Sequence, residues 1–348
     1  MRFDLSGCGA GLDESAAGLL ELGPRAESLG YDGLWINEEH FGQGSRTCLS
    51  PIPLATALAM RTHTIRIGFS VLVLPLFEPI RLAEEIATLD VLSEGRVDLG
   101  VSRGNTSRYF EAWGLSYEDR SAAFSSCFDK LIRCWTEPKI EVGSRIESIE
   151  PKCIQRPHPP IYFATYREEG AAWAAEQGLS LFQGSQQSAD SLRRCNRAFR
   201  DAGGDAGNVP VGRFVVVGET DQVALQAAWP AAEKLTEGYR RSGEQLRRRI
   251  STEEDLETER WLREVAIVGS PETVAARIAA LHDDLGFGSL QLVTGFLGHL
   301  PQTEVVRTLE LFAKEVKPRL QSMLRETEEQ SVVTMQRSPE AHQSGRRG

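Results

Sequence analysis

The chain has 348 residues, 41% of them hydrophobic and 25% charged, with 39 Lys plus Arg against 49 Asp plus Glu for a formal net charge of −10. That length holds either two domains of ordinary size or one large barrel or α/β domain. The acidic balance excludes a nucleic-acid groove or an acidic membrane surface as the main partner, because both reward basic stripes.

Met1–Ser6 carries Arg2 and Asp4, so no signal peptide is expected there. No apolar run approaches the roughly 18 residues of a membrane span. Cys8, Cys48, Cys127, Cys134, Cys153 and Cys195 lie far apart and never form a C-x-x-C pair. They are expected to be free thiols of a reducing cytosol, with no metal site. A soluble cytoplasmic protein is the expectation.

Taken in chain order, Arg2–Ser6 reads as a strand, and Asp13 can cap a helix that runs to Ser28. Strands follow at Gly33–Asn37 and Arg66–Leu74. Glu78–Leu92 then repeats Ile80, Ala83, Ile86, Ala87 and Leu89 at helical spacing. A fourth strand covers Arg96–Val101 and a helix covers Asp119–Trp135. Lys139–Pro160 is too polar and proline-rich for a helix and is expected to leave the fold as an excursion. Beyond it come the strand Ile161–Ala164, the helix Glu168–Gln177, the strand Leu179–Phe182 and the helix Gln187–Asp201. Next are the strand Arg213–Val217 and the helix Gln222–Arg249. Tyr239–Glu264 is dense in charge and predicts a helix end followed by a mobile loop near the C-terminal face. The helix Pro271–Leu285, the strand Ser289–Thr294 and the helix Gln302–Leu324 complete the pattern.

Eight strands alternating with helices is the count of a (β/α)8 barrel. Runs of Val, Ile and Leu suit parallel strands covered on both faces. A doubly wound sheet with an extra helical domain uses the same βαβ unit, so periodicity leaves both open. A single domain is expected over 1–325. The polar stretch 326–348 is expected to be a disordered tail.

Three motifs carry candidate chemistry. Gly7-Cys8-Gly9-Ala10-Gly11, with Asp32 further on, approaches a dinucleotide fingerprint, but G-x-G-x-x-G requires glycine where Leu12 stands. A flexible turn explains it equally well. Asn37-Glu38-Glu39-His40 falls at the C-terminal end of the second strand, where barrel active sites assemble. Two carboxylates and an imidazole there are candidates for proton transfer, unless His40 merely bonds a backbone group in a solvated loop. Ser102-Arg103-Gly104 ends the fourth strand. An arginine beside a glycine that lets backbone amides approach suits a phosphate or carboxylate. Its plainer alternative is a salt bridge to a neighbouring loop.

The ordered set of these pieces resembles the bacterial luciferase-like family of flavin-dependent monooxygenases. The matching residues are Glu38 to Phe41, Ile67 to Pro75 followed by Pro79 to Glu84, and Leu89-Asp90 through Gly95-Arg96 to Gly104. Tyr109-Phe110, Trp113-Gly114, Arg156 to Ile161, Trp173 to Leu179 and Val268 to Glu272 follow with compatible spacing. The resemblance implies a (β/α)8 barrel with reduced FMN (FMNH2) at the C-terminal ends of the strands. It implies a two-component monooxygenase in which a separate flavin reductase supplies FMNH2. Oxygen is then activated as a flavin C4a-(hydro)peroxide that oxygenates a small organic substrate, and the enzyme is a homodimer. Residue by residue, it implies that Arg103 and Arg120 hold the FMN phosphate. It also implies a cis peptide at Ser70-Val71 beneath the ring, and Glu38 beside the flavin. Glu39 and His40 would handle protons, and Ser102 would shape the space under the ring.

The chain departs from the luciferase pattern at several of these positions. Glu39 stands in place of the first of two adjacent histidines, and Ser102 in place of a reactive cysteine. Where luciferase offers hydroxyls to the phosphate, this chain has Glu168 and Ala171, with Arg167 and Thr165 near as replacements. A carboxylate at Glu168 repels a phosphate unless it points away. Two other readings fit the same barrel: a deazaflavin- or NAD(P)H-linked oxidoreductase, and a non-catalytic flavin-binding paralogue.

Overall fold

The computed structural model describes residues 1–6, 16–41, 50–241 and 256–326. The expected apolar runs become strands whose two faces are both covered, as in β9 (Pro210–Val217) and β11 (Ser289–Val293), buried along their whole lengths. The others are β1 (Arg2–Ser6), β2 (Gly33–Ile36), β3 (Arg66–Val73), β4 (Val97–Ser102), β7 (Ile161–Ala164), β8 (Ser180–Phe182) and β10 (Ala266–Gly269). Together they form one parallel curled sheet of nine strands, ordered β10-β9-β11-β1-β2-β3-β4-β7-β8. Past the end of β8, Gln183 N donates to Pro210 O (3.2 Å) and Gly212 N donates to Gln183 O (2.9 Å). These two bonds bring β8 against β9.

Helices cover the outside: α1 (Ala16–Ser28), α2 (Pro51–Ala59), α3 (Pro79–Leu92), α4 (Ser107–Ala112), α5 (Arg120–Thr136) and α6 (Glu168–Glu176). Then follow α7 (Ala189–Asp201), α8 (Asp221–Arg241), α9 (Thr258–Glu264), α10 (Pro271–Leu285) and α11 (Gln302–Leu311). Inside the expected excursion, β5 (Ile140–Val142) and β6 (Arg145–Glu147) pair as a hairpin turned at Gly143, whose φ is 62°.

The differences from expectation have physical causes. The strand β10 sits beside β9 as a ninth member, and α2, α4 and α9 are helices too short for their periodicity to stand out. The loop expected at the charged segment is instead ordered from Leu256 onward. Trp261 is fully buried there and packs its ring 4.9 Å from Phe214 and 5.8 Å from Phe296. Residues 242–255, including the expected end of α8, lie outside the described residues, as do the expected cap Asp13, the glycine turn at 7–11 and the tail from 327. Cys127, Cys134, Cys153 and Cys195 are buried free thiols, while Cys8 and Cys48 lie outside the described residues. Among the described residues no helix is long and apolar enough to cross a membrane.

The lower interior of the sheet is polar and bonded around two buried carboxylates. Asp98 receives Arg2 at 3.1 Å and Arg66 at 2.7 Å, and Asp4 accepts from Ser289 Oγ at 2.7 Å and Trp35 Nε1 at 3.1 Å. Above it Trp35, Tyr162 and Phe182 stack edge-on or tilted, with ring centroids 5.2 and 5.4 Å from Trp35. Gly68 is the glycine this plug requires, because a Cβ there would lie 2.4 Å from Trp35 Cδ2.

A carboxylate locks α1 to the turn before β3. Glu27 Oε1 accepts from the backbone N–H groups of His63 (2.7 Å), Thr64 (2.5 Å) and Ile65 (3.0 Å). Desolvation raises its pKa, but these donors outweigh it and bring the group from 4.5 to about 2. A carboxylate depressed in the folded state contributes stability above its unfolded pKa and loses it as pH falls through the folded one. Denaturant midpoints of wild type and Glu27→Gln should therefore differ by a constant amount above about pH 5 and converge as pH falls from 4.5 toward 2. A gap that does not change over that range would remove Glu27 from this role.

Candidate active site

The carboxyl ends of the strands enclose a cavity of about 1320 Å³ above the aromatic floor. Of the residues singled out in the sequence, Glu38, Glu39, Ser70, Val71, Ser102, Arg103, Arg120 and Arg167 all line it. His40 does not. Its place is explained by Glu38, whose buried carboxylate accepts from Val73 N at 2.6 Å and meets His40 Nε2 at 3.0 Å. The imidazole is held behind that carboxylate by the rings of Tyr109 (4.9 Å) and Trp113 (4.6 Å). The His40 backbone N–H also donates to the Tyr109 hydroxyl at 3.2 Å. His40 therefore meets the cavity lining through Glu38 and Tyr109.

One wall is cationic. Arg103 leaves the end of β4, and Gly104 after it has φ 80°, where a Cβ would meet Val73 Cγ1 at 2.7 Å and Phe110 Cε2 at 2.8 Å. That turn directs the guanidinium over the Phe163 ring, 5.1 Å from its centroid. Burial first, then the nearby charges of Arg167 and Arg120, hold Arg103 below the usual arginine range. Arg120 opens α5, donates to Tyr117 O at 2.7 Å and lies 4.1 Å from the centroid of the Tyr117 ring. Arg167 caps α6, and its N–H donates to Thr165 Oγ1 at 3.1 Å. Among the described residues none of the three guanidiniums has a carboxylate within 4.0 Å.

Glu168 does not spoil this wall, because it turns away to pair with Arg194 at 3.2 Å. Ala171 is fully buried in the hydrophobic core and makes no part of the lining. Thr165 and Gly170 do line the cavity, and a Cβ on Gly170 would lie 2.4 Å from Thr165 Oγ1. Three unneutralised guanidiniums, the Thr165 hydroxyl and the first turn of α6 make a set that fits a phosphate monoester.

In the middle of the cavity β3 breaks register between Phe69 and Leu72, and the Ser70–Val71 peptide there is cis. Ser70 Oγ donates to Asn37 Oδ1 at 3.4 Å, and Ser102 Oγ accepts from Gly104 N at 3.2 Å. The far wall belongs to β1, β9 and β11, with Ser6, Gly212, Gln291, Val293 and Leu297. Sequence reading passed over this wall, although the alternation in Ser289-Leu290-Gln291-Leu292-Val293 marks Gln291 as an inward polar position. Tyr109, Tyr117 and Trp173 also line the cavity, and as single aromatics on loops and helices they gave no periodic signal.

Comparison with known proteins agrees with this geometry. The family model described as luciferase-like monooxygenase matches residues 3–287. An uncharacterized protein, y4vJ, of Sinorhizobium fredii is 28% identical over 334 residues, covering 87% of this chain and 91% of its own length. The alkanal monooxygenase alpha chain of Photorhabdus luminescens is 30% identical over 169 residues, covering 47% of this chain and 46% of its own. Among solved structures, the oxygenating constituent of 3,6-diketocamphane monooxygenase from Pseudomonas putida, in complex with FMN, superposes with a TM-score of 0.73 at 22% identity, covering 92% of this chain and 98% of its own. An F420-dependent secondary alcohol dehydrogenase shares the fold with a TM-score of 0.69 at 16% identity, over 92% and 98% of the two chains. The chain belongs to the luciferase-like monooxygenase family.

The cationic wall has a consequence for stability. Removing one of three clustered like charges relieves repulsion and desolvation, so Arg103→Met should melt higher than wild type in dilute chloride buffer. Inorganic phosphate should raise the wild-type Tm beyond chloride at equal ionic strength, and that phosphate-specific increment should shrink in the variant. A variant that melts lower and responds to phosphate as wild type does would show that Arg103 supports the loop instead.

Proposed function

We propose that this luciferase-like monooxygenase is the oxygenase component of a two-component system. It takes FMNH2 from a separate reductase and oxygenates a small, uncharged organic substrate with O2. The observation that carries this reading is the wall of Arg103, Arg120 and Arg167, none of them in an ion pair among the described residues, in a large cavity at the carboxyl ends of the strands. The curled sheet is read as an eight-stranded barrel of β1, β2, β3, β4, β7, β8, β9 and β11, with β10 a branch on β9, in a single domain over 1–325. The enzyme works as a homodimer in the cytoplasm. Exposed Val91 and Leu92 at the end of α3, with Met60 just after α2, support a contact there.

Bound in this cavity, reduced FMN supplies the oxygen-activating chemistry. Arg103, Arg120 and Arg167 hold its phosphate, and Thr165 adds a hydroxyl. Ser70, Val71 and Ser102 shape the space against the ring. Glu38 is fixed at both oxygens, by Val73 N and His40 Nε2, so it is a rigid part of the wall. Glu39 lines the cavity beside it, and in this reading it receives or returns a proton at the substrate. The aromatic floor of Trp35, Tyr162 and Phe182 seals the lower side against water.

The experiment is an anaerobic titration with photoreduced FMN, followed by mixing with oxygen and recording flavin absorbance. The bound cofactor should consume oxygen and return to the oxidised form far more slowly than free FMNH2. A complex that binds a reduced deazaflavin instead and consumes no oxygen would establish the reductase reading. Flavin binding that leaves oxygen consumption no different from free FMNH2 would support the non-catalytic paralogue, and failure to bind any flavin would overturn the flavin reading itself. Glu39→Gln keeps the shape and removes the charge, so turnover should fall by roughly 100- to 10,000-fold while FMNH2 affinity stays within about twofold of wild type. An unchanged turnover number would take Glu39 out of the chemistry.

A further inference from the structure

The cationic wall has carboxylates close by, and one of them is held off it. Glu168 and Glu169 are the first two residues of α6, directly after Arg167. A carboxylate in that turn is drawn to the positive end of the helix and competes with any anion that seeks the same N–H groups. Glu169 lines the main cavity. Glu168 does not, and lines instead a smaller hollow of about 330 Å³. Tyr166, Arg167, Ser191 and Arg194 line both spaces, so the same side chains form the boundary between them.

Across that hollow Glu168 meets Arg194. Ser188, Ser191 and Arg194 follow one another at three-residue spacing, the first as the cap of α7 and the others on the helix, and all three line the main cavity. From there Arg194 Nε reaches Glu168 Oε1 at 3.2 Å. Among the described residues Glu168 pairs with no other cation. The neighbouring Arg193 is turned elsewhere, to Asp190 and Asp284. Both members of the Arg194–Glu168 pair are more than half exposed, at 59% and 55%, so the pair adds little to the stability of the fold. What it decides is where a negative charge lies. Arg194 also stands apart from the cationic cluster, since the neighbouring charges that act on Arg103 are those of Arg167 and Arg120.

We propose that Arg194 is a positioning residue for cofactor binding, which holds Glu168 in the side hollow and so keeps that carboxylate off the phosphate end of the cavity. This rests on reading the arginine wall as the site of the FMN phosphate. Arg194 acts through Glu168 and need not touch the cofactor. Without it, Glu168 is free to turn toward Arg167, its neighbour in the chain, or toward the first N–H groups of α6. Those are the groups a phosphate uses, and a phosphate monoester carries close to two negative charges that repel the carboxylate.

The test is anaerobic calorimetric titration of the full chain with reduced FMN and reduced riboflavin, in wild type, Arg194→Gln, Arg194→Lys, Glu168→Gln and the double variant Arg194→Gln/Glu168→Gln. Arg194→Gln should weaken FMNH2 binding about tenfold while reduced riboflavin stays within about twofold of wild type. Glu168→Gln alone should bind FMNH2 at least as tightly as wild type. In that background Arg194→Gln should cost no more than about threefold, because the carboxylate it restrains is gone. Arg194→Lys keeps Glu168 paired and should stay within about threefold of wild type. An equal loss of FMNH2 affinity in both backgrounds would make Arg194 a direct phosphate ligand and overturn the proposal. So would an Arg194→Gln variant that binds FMNH2 as wild type does, or one that weakens both flavins alike. The wild-type preference for FMNH2 over reduced riboflavin tests the phosphate reading separately. If that preference is absent, the phosphate reading falls and takes this proposal with it; if it is present, the comparison of the two backgrounds alone decides the role of Arg194.

Discussion

Three like charges on one wall are the constraint around which the site is built. Arg103, Arg120 and Arg167 repel one another, and burial adds a desolvation cost that already pulls Arg103 below the ordinary arginine range. The rings of Phe163 and Tyr117 offset part of this, since a guanidinium over an aromatic face gains about 0.5–2 kcal/mol. Among the described residues none of the three forms an ion pair, although Glu118 and Glu169 also line the cavity, and Glu168 is drawn off by Arg194. Such an arrangement is stable as part of a fold only if the scaffold is rigid. It is useful only if a multiply charged anion completes it.

The scaffold meets the first condition in layers. Ion pairs at Asp98 and hydrogen bonds at Asp4 fasten the lower ends of β1, β2, β3, β4 and β11 to one another. Above them the aromatic plug closes the interior and leaves the cavity only on the carboxyl side of the strands. Glu38 then pins the end of β2 to Val73 at the end of β3. With both carboxylate oxygens engaged, it passes that rigidity to His40. The cationic wall and the irregular segment of β3 are therefore held in fixed relation, as a preorganised site requires.

Much of this was legible in the sequence, for reasons that can be named. The eight strands expected from apolar runs all occur, because strands covered on both faces leave continuous runs of Val, Ile and Leu. Arg103 was legible because it follows a buried strand and precedes a glycine, and the geometry at Gly104 shows why only glycine fits. The part that was not legible depended on tertiary packing. Short helices such as α9 are ordered by Trp261 against Phe214 and Phe296, contacts far apart in sequence. His40 looked like a cavity residue because its neighbours are, yet its ring turns behind Glu38 to meet Tyr109 and Trp113. Glu168 looked like an obstacle because its partner Arg194 lies on a different helix.

The account stands or falls on whether the guanidinium wall holds a phosphate. The most direct measurement is anaerobic calorimetric titration of the protein with reduced FMN and with reduced riboflavin, which differ only in that group. Charge-assisted hydrogen bonds contribute about 1.5–3 kcal/mol each, so FMNH2 should bind at least tenfold more tightly than reduced riboflavin. Arg103→Ala should close most of that gap by weakening FMNH2 alone. Equal affinities for the two reduced flavins in wild type, or a variant that weakens both alike, would contradict it.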